Sequence, residues 1–227
     1  MTGLIAAIDT TDPQRARALA TAIAPSCGML KLGLEFFLAN GSDGVRLIDD
    51  RPVFLDLKLH DIPNTVAGGV RAILPLRPAL LTIHASGGSA MIAAAREAAE
   101  AAGAERPKIL AVTVLTSLGS EALHATGVAG GGRQQVLRLA RLALAAGADG
   151  LVCSPLEVSM LRDALGEGPV LVVPGIRPAG ADKGDQARTL TPREAADAGA
   201  TWLVVGRPIT AAADPAAAAA AIAAEIA

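Results

Sequence analysis

The chain is poor in aromatic rings: its 227 residues include no tyrosine, one tryptophan and three phenylalanines. Few side chains can therefore stack on bases, and the 20 lysines and arginines are spread out under a formal net charge of −2. Nucleic acid is not an expected partner. Cysteine is as scarce, with Cys27 and Cys153 both in apolar, strand-like stretches. That argues against a disulfide framework and for inert buried thiols in a reducing compartment, so a cytoplasmic location is expected. Long apolar runs are missing too. Hydrophobic residues make up 52% of the chain, mostly Ala, Leu, Val and Ile in short runs. None approaches the roughly 18 consecutive apolar residues of a membrane span. Met1-Thr2-Gly3-Leu4-Ile5 has no basic residue before its apolar run, unlike a secretory signal. A soluble protein without membrane association is expected, and with no linker or break in composition it reads as one domain over residues 1–227.

What the chain does have is a repeat of short apolar runs and Ala-rich amphipathic stretches, the pattern of βα units around a parallel sheet. Eight runs can be counted: Leu4–Ile8, Gly28–Leu32, Val53–Leu57, Leu80–Ile83, Ile109–Leu115, Gly150–Cys153, Val170–Val173 and Trp202–Val205. Helices are expected at 13–24, 35–49 with a break at Gly41, 62–74, 88–103, 133–147, 155–165, 192–199 and 214–226. Asp12-Pro13 and Asp214-Pro215 each set a capping side chain before a first-turn proline, and Gly103 and Gly147 close their helices. Eight strands and eight helices imply an α/β fold of the closed (β/α)8, or TIM-barrel, type. An open doubly wound sheet is the competitor, but no Gly-x-Gly-x-x-Gly follows the first strand.

In such barrels chemistry collects at the C-terminal ends of the strands, and the polar residues fall there. Asp9 ends strand 1, Lys31 strand 2, Asp56 and Lys58 strand 3 and His84 strand 4, while Thr116-Ser117 follow strand 5. The third strand is the most informative. In Asp56-Leu57-Lys58-Leu59-His60-Asp61 the period of two puts Asp56 and Lys58 on one face, with Leu55, Leu57 and Leu59 on the other. A buried ion pair is weak grounds for stability, so these charges point to chemistry. Single residues have plainer readings: Asp9 as a turn cap, His84 as a hydrogen-bonded structural histidine, Asp61 as the N-cap of helix 3, and Thr65 as an ordinary first-turn residue. Strands 7 and 8 run into Pro174-Gly175-Ile176-Arg177 and Gly206-Arg207, where barrels often hold phosphate with backbone N–H groups and arginine. The polar loop from Pro178 to Arg188 suits a lid over the same dianion, or a solvated loop. No redox cofactor is suggested, and there is no close His/Cys metal cluster, although Asp56 and Asp61 leave divalent-cation binding open.

The stretch Phe54-Leu55-Asp56-Leu57-Lys58-Leu59-His60-Asp61-Ile62-Pro63-Asn64-Thr65 resembles the signature of the orotidine 5′-phosphate decarboxylase family. Five further motifs follow that family's order: Lys31-Leu32-Gly33, Val112 to Ser117, Pro174 to Arg177, Gly184-Asp185-Gln186-Ala187-Arg188 and Gly206-Arg207. The resemblance covers nearly the whole chain. It implies decarboxylation of orotidine 5′-monophosphate to uridine 5′-monophosphate, the closing step of de novo pyrimidine synthesis, with neither metal nor organic cofactor. It further implies that Lys58 gives the proton to C6 of the pyrimidine, that Asp56 lies against the departing carboxylate, and that Lys31 and Asp9 hold the ribose hydroxyls and the charge network. Asp61, Ile62 and Thr65 would reach into the site of a second subunit, which implies a homodimer with shared active sites. Thr116 and its loop would close on the pyrimidine, and Arg177, Gln186, Gly206 and Arg207 would hold the phosphate.

Two rivals follow from the same residues. One is a magnesium-dependent sugar-phosphate decarboxylase or aldolase, whose barrels resemble one another in an acidic metal ligand ending strand 2, where this chain has Lys31. The other is a non-catalytic barrel that binds a pyrimidine nucleotide, a task that does not require the charge set Lys31, Asp56, Lys58 and Asp61.

Overall fold

The computed structural model describes residues 2–48, 51–178 and 189–226. Eight strands, β1 (Gly3–Ile8), β2 (Met29–Gly33), β3 (Val53–Leu59), β4 (Leu80–His84), β5 (Lys108–Val112), β6 (Gly150–Val152), β7 (Val170–Val173) and β8 (Trp202–Val205), close a barrel in sequence order. Every pairing is parallel, including β1 with β8, which joins the two ends of the sheet. The helices between them are α1 (Pro13–Ile23), α2 (Leu34–Arg46), α3 (Pro63–Ile73), α4 (Gly88–Glu100), α5 (Ser120–Ala125), α6 (Gly132–Ala145), α7 (Val158–Leu165), α8 (Pro192–Asp197), α9 (Arg207–Thr210) and α10 (Pro215–Glu225).

The two Asp-Pro caps form, whereas α4 ends at Glu100 and Gly103 opens a separate short turn. Asp12 Oδ1 accepts from the N–H groups of Gln14 and Arg15 at 2.9 and 3.2 Å, and Asp214 Oδ1 from Ala217 at 3.0 Å, each just before a first-turn proline. Gly41 interrupts α2 with φ +59°, a left-handed value that glycine adopts without steric penalty. Asp61 is not the cap of α3. The helix starts at Pro63 and Ile62 stands at the cap position, so the Asp61 carboxylate instead accepts the Ile62 N–H at 2.6 Å. The short helices α5 and α9 lie where loops were expected, since neither is long enough to show a period.

Alternation along the strands builds two apolar layers. Ile5, Ala7, Met29, Phe54, Leu80, Leu110, Val172 and Val204 point inward and fill the barrel, so it is a packed core rather than a channel. Leu4, Ala6, Leu30, Leu32, Leu55, Leu81, Ile83 and Leu203 point outward against the helices. The single tryptophan, Trp202, lies over Gly3 and Gly28, where any Cβ would run into its ring.

Two strand ends depart from expectation, and both matter for the site. β5 leaves the ladder at Val112 and not at Leu115, so the apolar Val114 and Leu115 belong to a turn that walls a cavity. β3 continues to Leu59, two residues past its apolar run, and does so irregularly. From Leu55 to Leu59 it takes four steps while β4 takes two, from Leu81 to Ile83, and within this bulge Lys58 has φ +50°. A long side chain seldom takes that conformation.

Candidate active site

At the C-terminal end of the barrel, β1, β2 and β3 deliver a row of alternating charge. Asp9 Oδ1 stands 3.4 Å from Lys31 Nζ, Lys31 Nζ 3.6 Å from Asp56 Oδ2, and Lys58 Nζ 2.7 Å from Asp56 Oδ1. Burial is graded along it. The side chains of Lys31 and Asp56 are 11% and 13% exposed, Lys58 is 36% exposed, and Asp9 at 57% opens to solvent. Gly33 leaves room for the row, because a Cβ there would sit 3.2 Å from Lys31 Nζ and 3.6 Å from Asp9 Oδ1.

Burial acts most strongly on Asp56 and opposes its ionisation. The charges of Lys31 and Lys58, with hydrogen bonds from Lys58 and from the Thr82 hydroxyl, outweigh it and hold the carboxyl below the usual carboxylate range. His84 is pushed the other way from a charged state: burial, then the His60 ring and the Lys58 charge, lower it and favour the neutral imidazole. Its ring lies 5.4 Å from that of His60, tilted by 40°. Both cysteines are free and buried. Burial raises the Cys27 thiol to about 11 and pushes that of Cys153 higher still, as expected of inert thiols.

The row forms one wall of a cavity of about 170 Å³. Lys31, Asp56 and Lys58 share its lining with Val112, Val114, Leu115, Thr116, Val152 and Cys153. A second cavity, about 450 Å³, shares Lys31, Asp56, Pro174 and Val204 with the first and extends to Gly175, Arg177, Gly206 and Arg207. Gly206 precedes the first turn of α9, which places Arg207 at its start. A flat group that fits among apolar side chains and an anion that meets two arginines can thus be held at once, with Lys31 and Asp56 lining both cavities.

The structure therefore gathers Asp9, Lys31, Asp56, Lys58, Thr116, Arg177, Gly206 and Arg207 around adjoining cavities that share Lys31 and Asp56. It does not bring Asp61, Ile62 or Thr65 there. All three are exposed; Asp61 and Ile62 line a separate groove with His60, Pro63, Ser86 and Gly87, and among the described residues Asp61 makes no ion pair. Gln186 lies outside the described residues. Among those residues no group of three or more His, Cys, Asp or Glu side chains is arranged to hold a metal ion. Sequence reasoning missed Thr82, and it missed Val112, Val152 and Val172 as a binding wall; continuing the period of two inward from each strand's core residue would have found them.

Residues 2–222 match the family model described as the orotidine 5′-phosphate decarboxylase / HUMPS family. The chain belongs to that family. The matched span contains all eight strands and every candidate residue from Asp9 to Arg207. Among curated members, orotidine 5′-phosphate decarboxylase of Gluconobacter oxydans is 58% identical over 100% of this chain and 98% of its own length. That of an Anaeromyxobacter species is 56% identical, over 97% and 96%. A crystal structure of the orotidine 5′-phosphate decarboxylase from Lactobacillus acidophilus superposes with a TM-score of 0.89 at 39% identity, covering 100% of this chain and 99% of that one.

Proposed function

We propose that this protein is a carboxy-lyase that converts orotidine 5′-monophosphate to uridine 5′-monophosphate and carbon dioxide in pyrimidine biosynthesis, without a cofactor. The observation that carries the reading is the Lys58 ammonium, held 2.7 Å from a buried Asp56 carboxylate on the wall of an apolar cavity that shares Lys31 and Asp56 with the cavity of Arg177 and Arg207. The naming of relatives more than half identical over full length supports it.

In this mechanism the bond from C6 to the carboxylate breaks and both its electrons stay on C6. They lie in the plane of the pyrimidine ring, where the π system delocalises them poorly. Stabilisation has to come from outside the ring, and the Lys58 ammonium supplies a positive charge and then the proton, leaving an amine that solvent reprotonates. Asp56 lies beside the substrate carboxylate, with a repulsion of about 4 kcal/mol at 4 Å and an effective dielectric of 20, which is relieved as carbon dioxide departs. That is a minor share of the roughly 8–23 kcal/mol an enzyme supplies. The larger share falls to carbanion stabilisation and to phosphate binding at a distance from the reacting carbon. Lys31 and Asp9 complete the charge balance and meet the ribose hydroxyls, Thr116 covers the pyrimidine, and Gly206, Gln186, Arg177 and Arg207 take the phosphate.

We further assign the protein to the cytoplasm as a homodimer in which Asp61, Ile62 and Thr65 serve the neighbouring subunit's cavity. Two features support the dimer: these residues are exposed and do not line their own cavity, and the exposed apolar side chains Leu34 and Ile62 stand just past the ends of β2 and β3. Among the described residues no helix is long and apolar enough to cross a membrane.

The test is the ultraviolet-monitored loss of orotidine 5′-monophosphate by purified protein in excess chelator. Turnover is expected. Silence in chelator, with magnesium restoring activity on a ketose phosphate, would move the protein to the metal-dependent branch; the Lys31 ammonium beside Asp56 speaks against that branch. Arg207→Ala should raise KM by about 10- to 100-fold, the worth of a lost charge-assisted hydrogen bond, with a smaller change in kcat. An unchanged KM would remove Arg207 from the phosphate site.

A further inference from the structure

β4 carries a residue that the reaction scheme does not use. Thr82 is fully buried, faces inward between Leu80 and His84, and touches both reactive residues of β3. Its Oγ1 lies 2.9 Å from Asp56 Oδ1 and 2.9 Å from the backbone nitrogen of Lys58. The chemistry of the partners fixes the direction of each bond: an ionised carboxylate only accepts and a backbone N–H only donates. The hydroxyl proton therefore points at Asp56, and an oxygen lone pair receives Lys58.

The second bond matters because of where Lys58 sits. Its N–H lies inside the β3 bulge, where the register between Leu55 and Leu59 is shifted, and its φ of +50° is unusual for a residue with a side chain. A buried N–H needs a partner, and strained backbone persists only where its surroundings hold it. Thr82 supplies that partner. Through the same oxygen it orients the carboxylate that grips the Lys58 ammonium.

We propose that Thr82 is a positioning residue for the decarboxylation, its hydroxyl tying the bulged backbone of Lys58 to the carboxylate of Asp56 so that ammonium and carboxylate keep one relative geometry. The proposal rests on the function assigned above. Valine matches the shape of threonine without the hydroxyl, and serine keeps the hydroxyl without the methyl group. Thr82→Val should lower kcat by at least about 10-fold with little change in KM, since the lost interaction acts on the reacting groups and not on substrate affinity. It should also move the acidic limb of the kcat/KM profile to higher pH, because Asp56 loses a hydrogen bond that favours its ionised form. Thr82→Ser should restore both. Should the valine variant fail to fold, Thr82→Ala is compared with Thr82→Ser in its place.

Wild-type kcat and an unmoved pH profile in Thr82→Val would overturn the proposal, as would a serine variant as impaired as the valine one. A crystal structure of Thr82→Val reads the geometry without any substrate: Lys58 is expected to leave the left-handed region and its contact with Asp56 to lengthen. If the wild type does not act on orotidine 5′-monophosphate, the assigned function fails, and an unchanged Lys58 conformation in that crystal structure would separately sink the role of Thr82.

Discussion

Lys58→Ala is expected to reduce kcat/KM by at least ~10⁴-fold while leaving the barrel folded. General acid catalysis by a positioned side chain contributes about 10²–10⁴-fold, and preorganised charge at a developing anion about 10²–10³-fold; one ammonium performs both tasks here. The lower ends of the two ranges combine to about 10⁴-fold, which is the expected minimum; the upper ends are not multiplied, because both effects belong to a single group. Folding should survive because the Lys58 side chain is about one-third exposed, and Asp56 keeps Lys31 at 3.6 Å and the Thr82 hydroxyl at 2.9 Å. Alanine has the same Cβ in the same left-handed position, so the backbone conformation is neither relieved nor worsened. Single-turnover ultraviolet kinetics and a thermal melt check the two halves, and a variant within 100-fold of wild type would show that the proton comes from elsewhere.

Asp56→Asn tests the anion between the two lysines. The amide keeps the size of the carboxylate, but it leaves Lys31, 11% exposed, without its buried counter-charge and still 3.4 Å from Asp9, which is half open to water. Removing one partner of a buried pair costs about 3–5 kcal/mol, and the surviving contact to Asp9 argues for the lower end. The pH dependence carries a definite sign. The folded pKa of Asp56 lies below its unfolded value, so its contribution to stability is complete above about pH 4 and is lost as pH falls through the depressed folded value. The stability gap between wild type and Asp56→Asn should therefore be widest near neutrality and should close as the medium is acidified. Turnover should fall at least ~100-fold, on the scale of losing one preorganised electrostatic group. Equal melting temperatures at pH 7, or a gap that grows on acidification, would mean that Asp56 is not held ionised by its neighbours.

Much of this protein is legible in its chain because the signals are local. Eight apolar runs became eight strands within a residue or two at most ends, and Asp12, Asp214 and Gly41 acted where their chemistry puts them. The misreadings share a cause. Val114 and Leu115 continue an apolar run, so they read as strand, but their burial comes from a cavity that β5 meets only after it leaves the ladder. Asp61 stands just before Ile62-Pro63 and so reads as the cap of helix 3; the helix starts at Pro63 with Ile62 at the cap position, and the carboxylate accepts the Ile62 N–H instead.

The sequence by itself determined the barrel, the order of its strands and the charges at their C-terminal ends, since period, capping and strand-end position are properties of consecutive residues. Only the tertiary structure decided how those charges meet. The bulge that gives Lys58 its φ of +50°, the 2.7 Å contact to Asp56 and the Thr82 hydroxyl between them depend on the register of β3 against β4. That register joins residues 24 and 26 positions apart, and it is set by how both strands pack into the closed barrel, which no short window of sequence contains.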